Sequence, residues 1–280
     1  MDGIQAFLNQ AGVPCVDVDI ANVGARGELG EHNDLSSDQL WEVILGDIRT
    51  GKVMALWFGT PCTTFSRARE VRPGPPPLRD LDHPYGLPKS SLTPPQHEQV
   101  RMGTYYALKT AEAATLAHSQ GIPFGIENPE PWEGYISMFI LPEFTKLSGL
   151  QEVKVVDFDQ CTVGAETTKP TRVLYYKLPL STLHKRCHHP KQWWEFKDWR
   201  GKTQRRWGAH PPLARRALED GTPATAAAAV YPAELNRIIA TAISSHRTVP
   251  PIREDVKDPT PGLSSVNPVE SQGADPERLP

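Results

Sequence analysis

Short apolar runs alternate with longer stretches of helical period along most of this chain. That alternation constrains its fold more than any single residue does. The stretches "VPCVDVDI" (13–20), "KVMALWFG" (52–59), "IPFGIENP" (122–129), "VKVVDFDQ" (153–160) and "TRVLYYKL" (171–178) read as strands, the last two as neighbours. Helical spacing joins Ile4, Phe7 and Leu8, with Gly12 as a C-cap. "SSDQLWEVILGDIRTG" (36–51) starts on Ser and Asp and stops at Gly51. A long helix is expected over 97–121, closed by Gly121, and a last one over 232–246. Strands alternating with helices predict an α/β domain with a mostly parallel sheet. Ligands of such sheets sit at the carboxyl ends of strands. Asp19, Cys62 and Glu127 each stand where a strand is expected to end, so the three should converge on one crevice.

Composition narrows the setting. The formal net charge is -3, so any binding of a polyanion has to be local. The four cysteines at 15, 62, 161 and 187 form no CxxC pair and no disulfide framework, which predicts reduced thiols in an intracellular protein. No apolar run is long enough for a membrane helix, and "MDGIQAFLNQAG" lacks the pattern of a signal peptide. No membrane partner is expected, and a monomer is.

Chemistry concentrates in two motifs. In "GTPCTTFS" (59–66) a Gly-Thr-Pro turn would lift the Cys62 thiol out of the sheet edge, and turn N–H groups would raise its thiolate fraction. In "GIENP" (125–129) Glu127 is a carboxyl held by a rigid Asn-Pro flank. A thiolate and a protonatable carboxyl in one crevice suit attack on an electron-poor ring. The thiolate adds to carbon 6 of a pyrimidine, the acid serves ring nitrogen 3, and carbon 5 becomes nucleophilic.

As a set, these motifs resemble the cytosine-5 DNA methyltransferase family. "GTPCTTFS" is similar to its Gly-Pro-Pro-Cys-x-x-Phe-Ser nucleophile motif, with Thr60 for the first proline. "GIENP" is similar to its Glu-Asn-Val motif, with Pro129 for valine, as in phage-type and mobile-element relatives. "FDQCTVGAETTKPTRVLYY" (158–176) resembles a segment of those relatives with Cys-x-x-Gly before Lys-Pro-Thr-Arg, and "YPAEL" (231–235) resembles the closing motif. The resemblance covers roughly 12–245. It implies a Rossmann-like methyltransferase fold, S-adenosylmethionine as methyl donor, and DNA (RNA being the other option) as substrate. Cys62 would be the nucleophile, Glu127 the acid at the base, and Arg172 a catalytic contact near the base or its phosphate. Asp19 would bind the cofactor ribose and Asp34, in "HNDL", its adenine.

The family opens on a strand and a "DLFSGxGG"-like turn, whereas this chain starts at "MDGIQAF". A sheet lacking that N-terminal strand is therefore expected. This departure supports a second reading, a catalytically inactive relative that binds nucleic acid or a protein partner.

Residues 1–183 are expected to form the catalytic region, 184–216 a nucleic-acid contact segment, 217–247 a helix returning to the catalytic region, and 248–280 a disordered tail. Between 184 and 216, ten Lys and Arg face only Glu195 and Asp198, and four tryptophans lie among them. Cations between aromatics suit phosphates and unstacked bases. Arg200, Arg205 and Arg206, with Arg67, Arg69 and Lys169, are the expected nucleic-acid contacts. No metal site is expected: His184, Cys187, His188 and His189 are crowded, without a distant CxxC or HxxxH partner, and Cys161 reads as structural. The proline-rich stretch 70–96 is expected to be a catalytic flap or a disordered insertion.

Overall fold

The parallel heart of the sheet is a β-α-β unit. Strand β1 (Leu56–Gly59) leads through helix α3 (Pro94–Ser119) to β2 (Phe124–Pro129), and the strands pair in parallel from Leu56 with Phe124 to Gly59 with Glu127. The 26 residues of α3 start at Pro94, with the Gln96 side chain accepting from the Thr93 N–H. Its inner face carries Ala107, Ala111, Ala114 and Ala117, small enough for close approach to the sheet. The structure, a computed structural model, describes residues 3–16, 34–70 and 75–246, all within one unit, Met1–Arg247.

The rest of the sheet corrects the expectation of mostly parallel strands. Strand β3 (Val153–Asp159), reached through α4 (Pro142–Ser148), returns at once into β4 (Pro170–Tyr176). The order is β1-β2-β4-β3, with β4 antiparallel to both β2 and β3. The physical reason is the connection. Residues 160–169 hold one 3-10 turn ending on Gly164 in a left-handed conformation. A parallel return needs a crossover of about a dozen residues or more, usually a helix. The sheet is therefore mixed, with one parallel and two antiparallel pairings.

Helices cover both faces. Phe124, Ile126, Leu174 and Tyr176 pack toward α2 (Asp38–Arg49), α3 and α4. Val156, Phe158, Val173 and Tyr175 pack toward α1 (Ile4–Gln10) and α6 (Ala233–Ser244). The strand expected over 13–20 has no strand structure in its described part, 13–16, and its remainder lies outside the described residues, as does the stretch 248–280. No helix among the described residues is long and apolar enough to cross a membrane.

The basic segment is a second, antiparallel sheet. Strands β5 (Gln192–Asp198) and β6 (Thr203–Gly208) form a hairpin, and β7 (Arg216–Ala217) adds two residues beside β5. A four-residue helix, α5 (Ala224–Ala227), follows before α6.

Candidate active site

Gly59 and Glu127 face one another at the carboxyl ends of β1 and β2. A Cβ on Gly59 would lie 3.0 Å from the Tyr231 hydroxyl, so glycine leaves room for that ring over the strand. A Cβ on Gly125 would lie 2.3 Å from the Trp57 ring, which packs flat across the same face. Tyr231, from the turn before α6, donates its hydroxyl proton to Glu127 Oε2 at 2.9 Å, and Trp57 Nε1 approaches that hydroxyl oxygen at 3.4 Å. The other oxygen, Glu127 Oε1, is buried and accepts no hydrogen bond. Its nearest cation is Lys169 Nζ at 4.0 Å.

Burial pushes the Glu127 carboxyl above its ordinary range; Lys169 and the Tyr231 hydrogen bond pull the other way and are outweighed. The group is thus poised to carry a proton. The half-buried Cys62 thiol is also pushed up, by burial first and by Glu127 second, with Lys169 opposing. This differs from the expectation of a thiol acidified by turn N–H groups. The desolvation of a half-enclosed sulfur exceeds what one turn supplies.

Neighbouring residues fix the Cys62 turn from three sides. Asn128, fully buried, donates through Nδ2 to the Thr60 carbonyl at 2.8 Å, so the Glu-Asn pair divides its work between site and turn. Thr60 Oγ1 lies 3.0 Å from Thr110 Oγ1 on α3. Downstream, Arg69 Nε donates to the Thr63 carbonyl at 2.7 Å and Arg79 Nε to Thr64 Oγ1 at 3.1 Å. Arg79 has no exposed surface; burial lowers its guanidinium pKa to about 10, and it stacks 3.9 Å from the Phe65 ring centre. The described part of the proline-rich stretch, 75–96, is therefore wrapped around two buried arginines that brace the Cys62 turn.

Several expected site residues stand elsewhere. Arg172 pairs with Asn128 in register, so its side chain leaves the opposite face of the sheet from Glu127. There it makes a two-pronged ion pair with Asp157, at 2.7 and 2.8 Å. Lys169, expected as a nucleic-acid contact, lies beside Glu127 and donates to the Ala228 carbonyl at 2.7 Å. It adopts φ 35, a left-handed conformation that costs a non-glycine residue about 1–3 kcal/mol and that its neighbours must hold in place.

Arg69 points inward and donates also to the Pro76 carbonyl and Gln99 Oε1, so it is no surface contact. Arg67 is exposed and lies 3.8 Å over the Trp132 ring, linking the loops after β1 and β2. Arg200 and Arg205 lie over Trp199 and Trp193 on the hairpin, at 4.4 and 5.2 Å, and Arg206 is exposed on β6.

On the cofactor side, Asp19 lies outside the described residues. Asp34 is described, but Oδ1 accepts the Ser36 N–H and Oδ2 the Ser36 hydroxyl, both at 2.8 Å, in the turn entering α2. Those hydrogen bonds hold its carboxyl below the ordinary range. Each oxygen thus accepts a hydrogen bond within the turn.

Sequence reading missed Tyr231 as a site residue, although "YPAEL" contains it; only the fold brings it across 104 positions to Glu127. It also missed that Cys161, Cys187, His189 and His210 hold their ligand atoms within 4.8 Å of one another. Comparison with family models, with curated proteins and with solved structures finds no match to this chain.

Proposed function

We propose that this chain acts on cytosine in nucleic acid by covalent addition at carbon 6, as a DNA cytosine-5 methyltransferase does. The observation that carries the reading is the buried, unpartnered Glu127 Oε1 beside the Cys62 turn and Lys169. A buried acceptor without a donor carries a free-energy cost of about 1–3 kcal/mol. A cytosine edge, with its amino group and ring nitrogen 3, would relieve it.

In this mechanism the Cys62 thiol gives up its proton to solvent and the resulting thiolate sulfur bonds to carbon 6. The carbon 5–6 π electrons move toward ring nitrogen 3, which Glu127 protonates or hydrogen-bonds. Tyr231 holds the carboxyl in place, and Lys169 limits the charge on it. Loss of the proton at carbon 5 and expulsion of the thiolate close the cycle. S-Adenosylmethionine, which the resemblance implies, would supply the methyl group that carbon 5 takes up. A Rossmann-like ancestry is supported by the β1-α3-β2 unit, which places Cys62 and Glu127 at adjacent carboxyl ends. DNA as substrate is supported by the basic hairpin, where exposed tryptophans stand among cations.

A duplex containing 5-fluorocytosine, offered with S-adenosylmethionine, tests the reading. The wild-type chain should form an adduct that survives denaturing electrophoresis, and Cys62→Ala should form none. The raised thiol and the committed Asp34 carboxylate favour one second reading, an inactive nucleic-acid-binding relative. Duplex binding with no adduct and no calorimetric heat from S-adenosylmethionine would establish that reading and remove the first.

A further inference from the structure

Outside the Cys62 site, the densest group of ligand atoms lies where the basic hairpin joins the main sheet. Cys161 sits in the 3-10 turn after β3, Cys187 and His189 in the segment entering β5, and His210 just beyond β6. The Cys187 sulfur is 3.5 Å from His189 Nδ1 and 3.3 Å from His210 Nε2, and those two nitrogens are 3.2 Å apart. Cys161 completes the quartet, all four ligand atoms lying within 4.8 Å of one another.

From this geometry we propose that these four residues bind one zinc ion as a closed tetrahedral site. Zinc bonds of about 2.3 Å to sulfur and 2.0–2.1 Å to nitrogen give a tetrahedron with ligand–ligand edges of about 3.3–3.8 Å. The three separations of 3.5, 3.3 and 3.2 Å fall in or within about 0.2 Å of that range. Two thiols and two imidazoles are the donor set that tetrahedral zinc prefers. Hard cations such as magnesium and calcium want oxygen instead.

The surroundings hold the ligands in the required state. His210 Nδ1 lies 2.9 Å from the Glu166 carbonyl, so Nδ1 carries the proton and the Nε2 lone pair faces the other ligands. Glu166 is anchored by a two-pronged pair with Arg216, at 2.7 and 2.6 Å. The Cys187 N–H donates to Asp159 Oδ2 at 2.7 Å, and the Asp159 N–H donates back to the Lys185 carbonyl at 3.0 Å. Four protein ligands leave no open position, so the ion is structural and holds no reacting water.

Its work follows from where the ligands lie. Cys187 and His189 precede the hairpin, His210 follows it, and Cys161 belongs to the main sheet. The ion would clamp both feet of the hairpin to the end of β3. The hairpin needs such a clamp, because Trp193, Trp199 and Trp207 are 59%, 59% and 52% exposed and give it little core of its own. A hairpin without a packed face is marginal in water.

Full-length chain, purified anaerobically without chelator or added reductant, should carry about one zinc per chain by elemental analysis. After the zinc is stripped, cobalt(II) should restore about one equivalent, with the intense ligand-field bands of a tetrahedral ion and a thiolate charge-transfer band. Cys161→Ser and His210→Ala should each abolish that spectrum, and His188→Ala should leave it intact. Stripping should open 184–216 to trypsin while 56–176 stays protected. Wild-type chain that binds neither metal overturns the site, whatever the variants do. So does a tetrahedral thiolate spectrum persisting in the Cys161→Ser, His210→Ala double variant, or a Cys161–Cys187 disulfide in the anaerobic preparation. Cleavage unaffected by stripping overturns the clamp.

Discussion

At Glu127 the demands of folding and of chemistry oppose each other, and titration can separate them. Burial holds its proton more tightly in the folded chain than in the unfolded one, where the ordinary value is 4.5. Above about that pH the folded state carries the extra proton, so stability falls as pH rises until the folded carboxyl ionises. Glu127→Gln has no proton to lose. Its stability relative to wild type should therefore climb from pH 4.5 upward and then level off, as thermal unfolding at stepped pH would read. Parallel pH profiles for the two proteins would mean that the carboxyl is not perturbed. The same variant should slow exchange of the cytosine carbon 5 hydrogen with solvent by about 10²–10⁴-fold, the usual worth of a positioned acid. That exchange needs only addition and elimination, so it reports on the base side of the site independently of the methyl donor. Exchange needs the Cys62 thiolate and the Glu127 proton together, and both groups are raised, so exchange by wild type should rise with pH until Glu127 begins to ionise and then level off.

Among the elements, the stretch 75–96 shows how an irregular segment can stiffen the Cys62 turn. Arg79 NH1 donates to the Pro84 carbonyl and Thr104 Oγ1, both at 3.0 Å, and NH2 to the Val100 carbonyl at 2.9 Å. Arg79→Met, similar in length but without donors, should destabilise the chain by roughly 2–4 kcal/mol, because several buried acceptors lose their partner. Gly103 on α3 makes room for this arrangement: a Cβ there would lie 2.4 Å from Thr64 Oγ1 and 3.1 Å from Arg79 NH2. Gly103→Ala would gain about 1 kcal/mol in an exposed helix. Here the crowding should reverse the sign, to a net loss of about 1–3 kcal/mol in denaturant unfolding. A stabilised Gly103→Ala would refute the packing argument.

The same elements show what the sequence could and could not disclose. The positions of Cys62 and Glu127 at the ends of neighbouring strands were legible because each sits in a contiguous motif at the end of an apolar run. The direction of β4 was not, because strand periodicity is the same whichever way a strand runs and only the length and content of 160–169 decide it. Arg172 was misplaced by one step of strand alternation, which sends it to the face opposite Glu127. The metal quartet was hidden because Cys161 and His210 are single residues far from the Cys-His cluster, with 23 positions separating Cys187 from His210.

For the molecule as a whole, a net charge of -3 means that any attraction to nucleic acid has to be local. On the outer face of the hairpin, Trp193 pairs with Trp207 across the strands, ring centres 5.6 Å apart, and Glu195 pairs with Arg205. Alternation puts Lys197 on that face too, while Trp194 and Phe196 turn inward and are less exposed. Stacking and charge thus reside in different side chains of one surface, and salt dependence can tell them apart. Trp193→Ala should weaken binding to a single-stranded oligonucleotide by about 1–3 kcal/mol without changing the slope of log K against log salt. Arg205→Ala with Lys197→Ala should weaken binding at low salt and reduce that slope by about 1.4, roughly 0.7 for each lost phosphate contact to a single strand. If both substitutions leave the titration unchanged, the hairpin is not the nucleic-acid surface, and its cations serve only to keep a tryptophan-rich sheet in water.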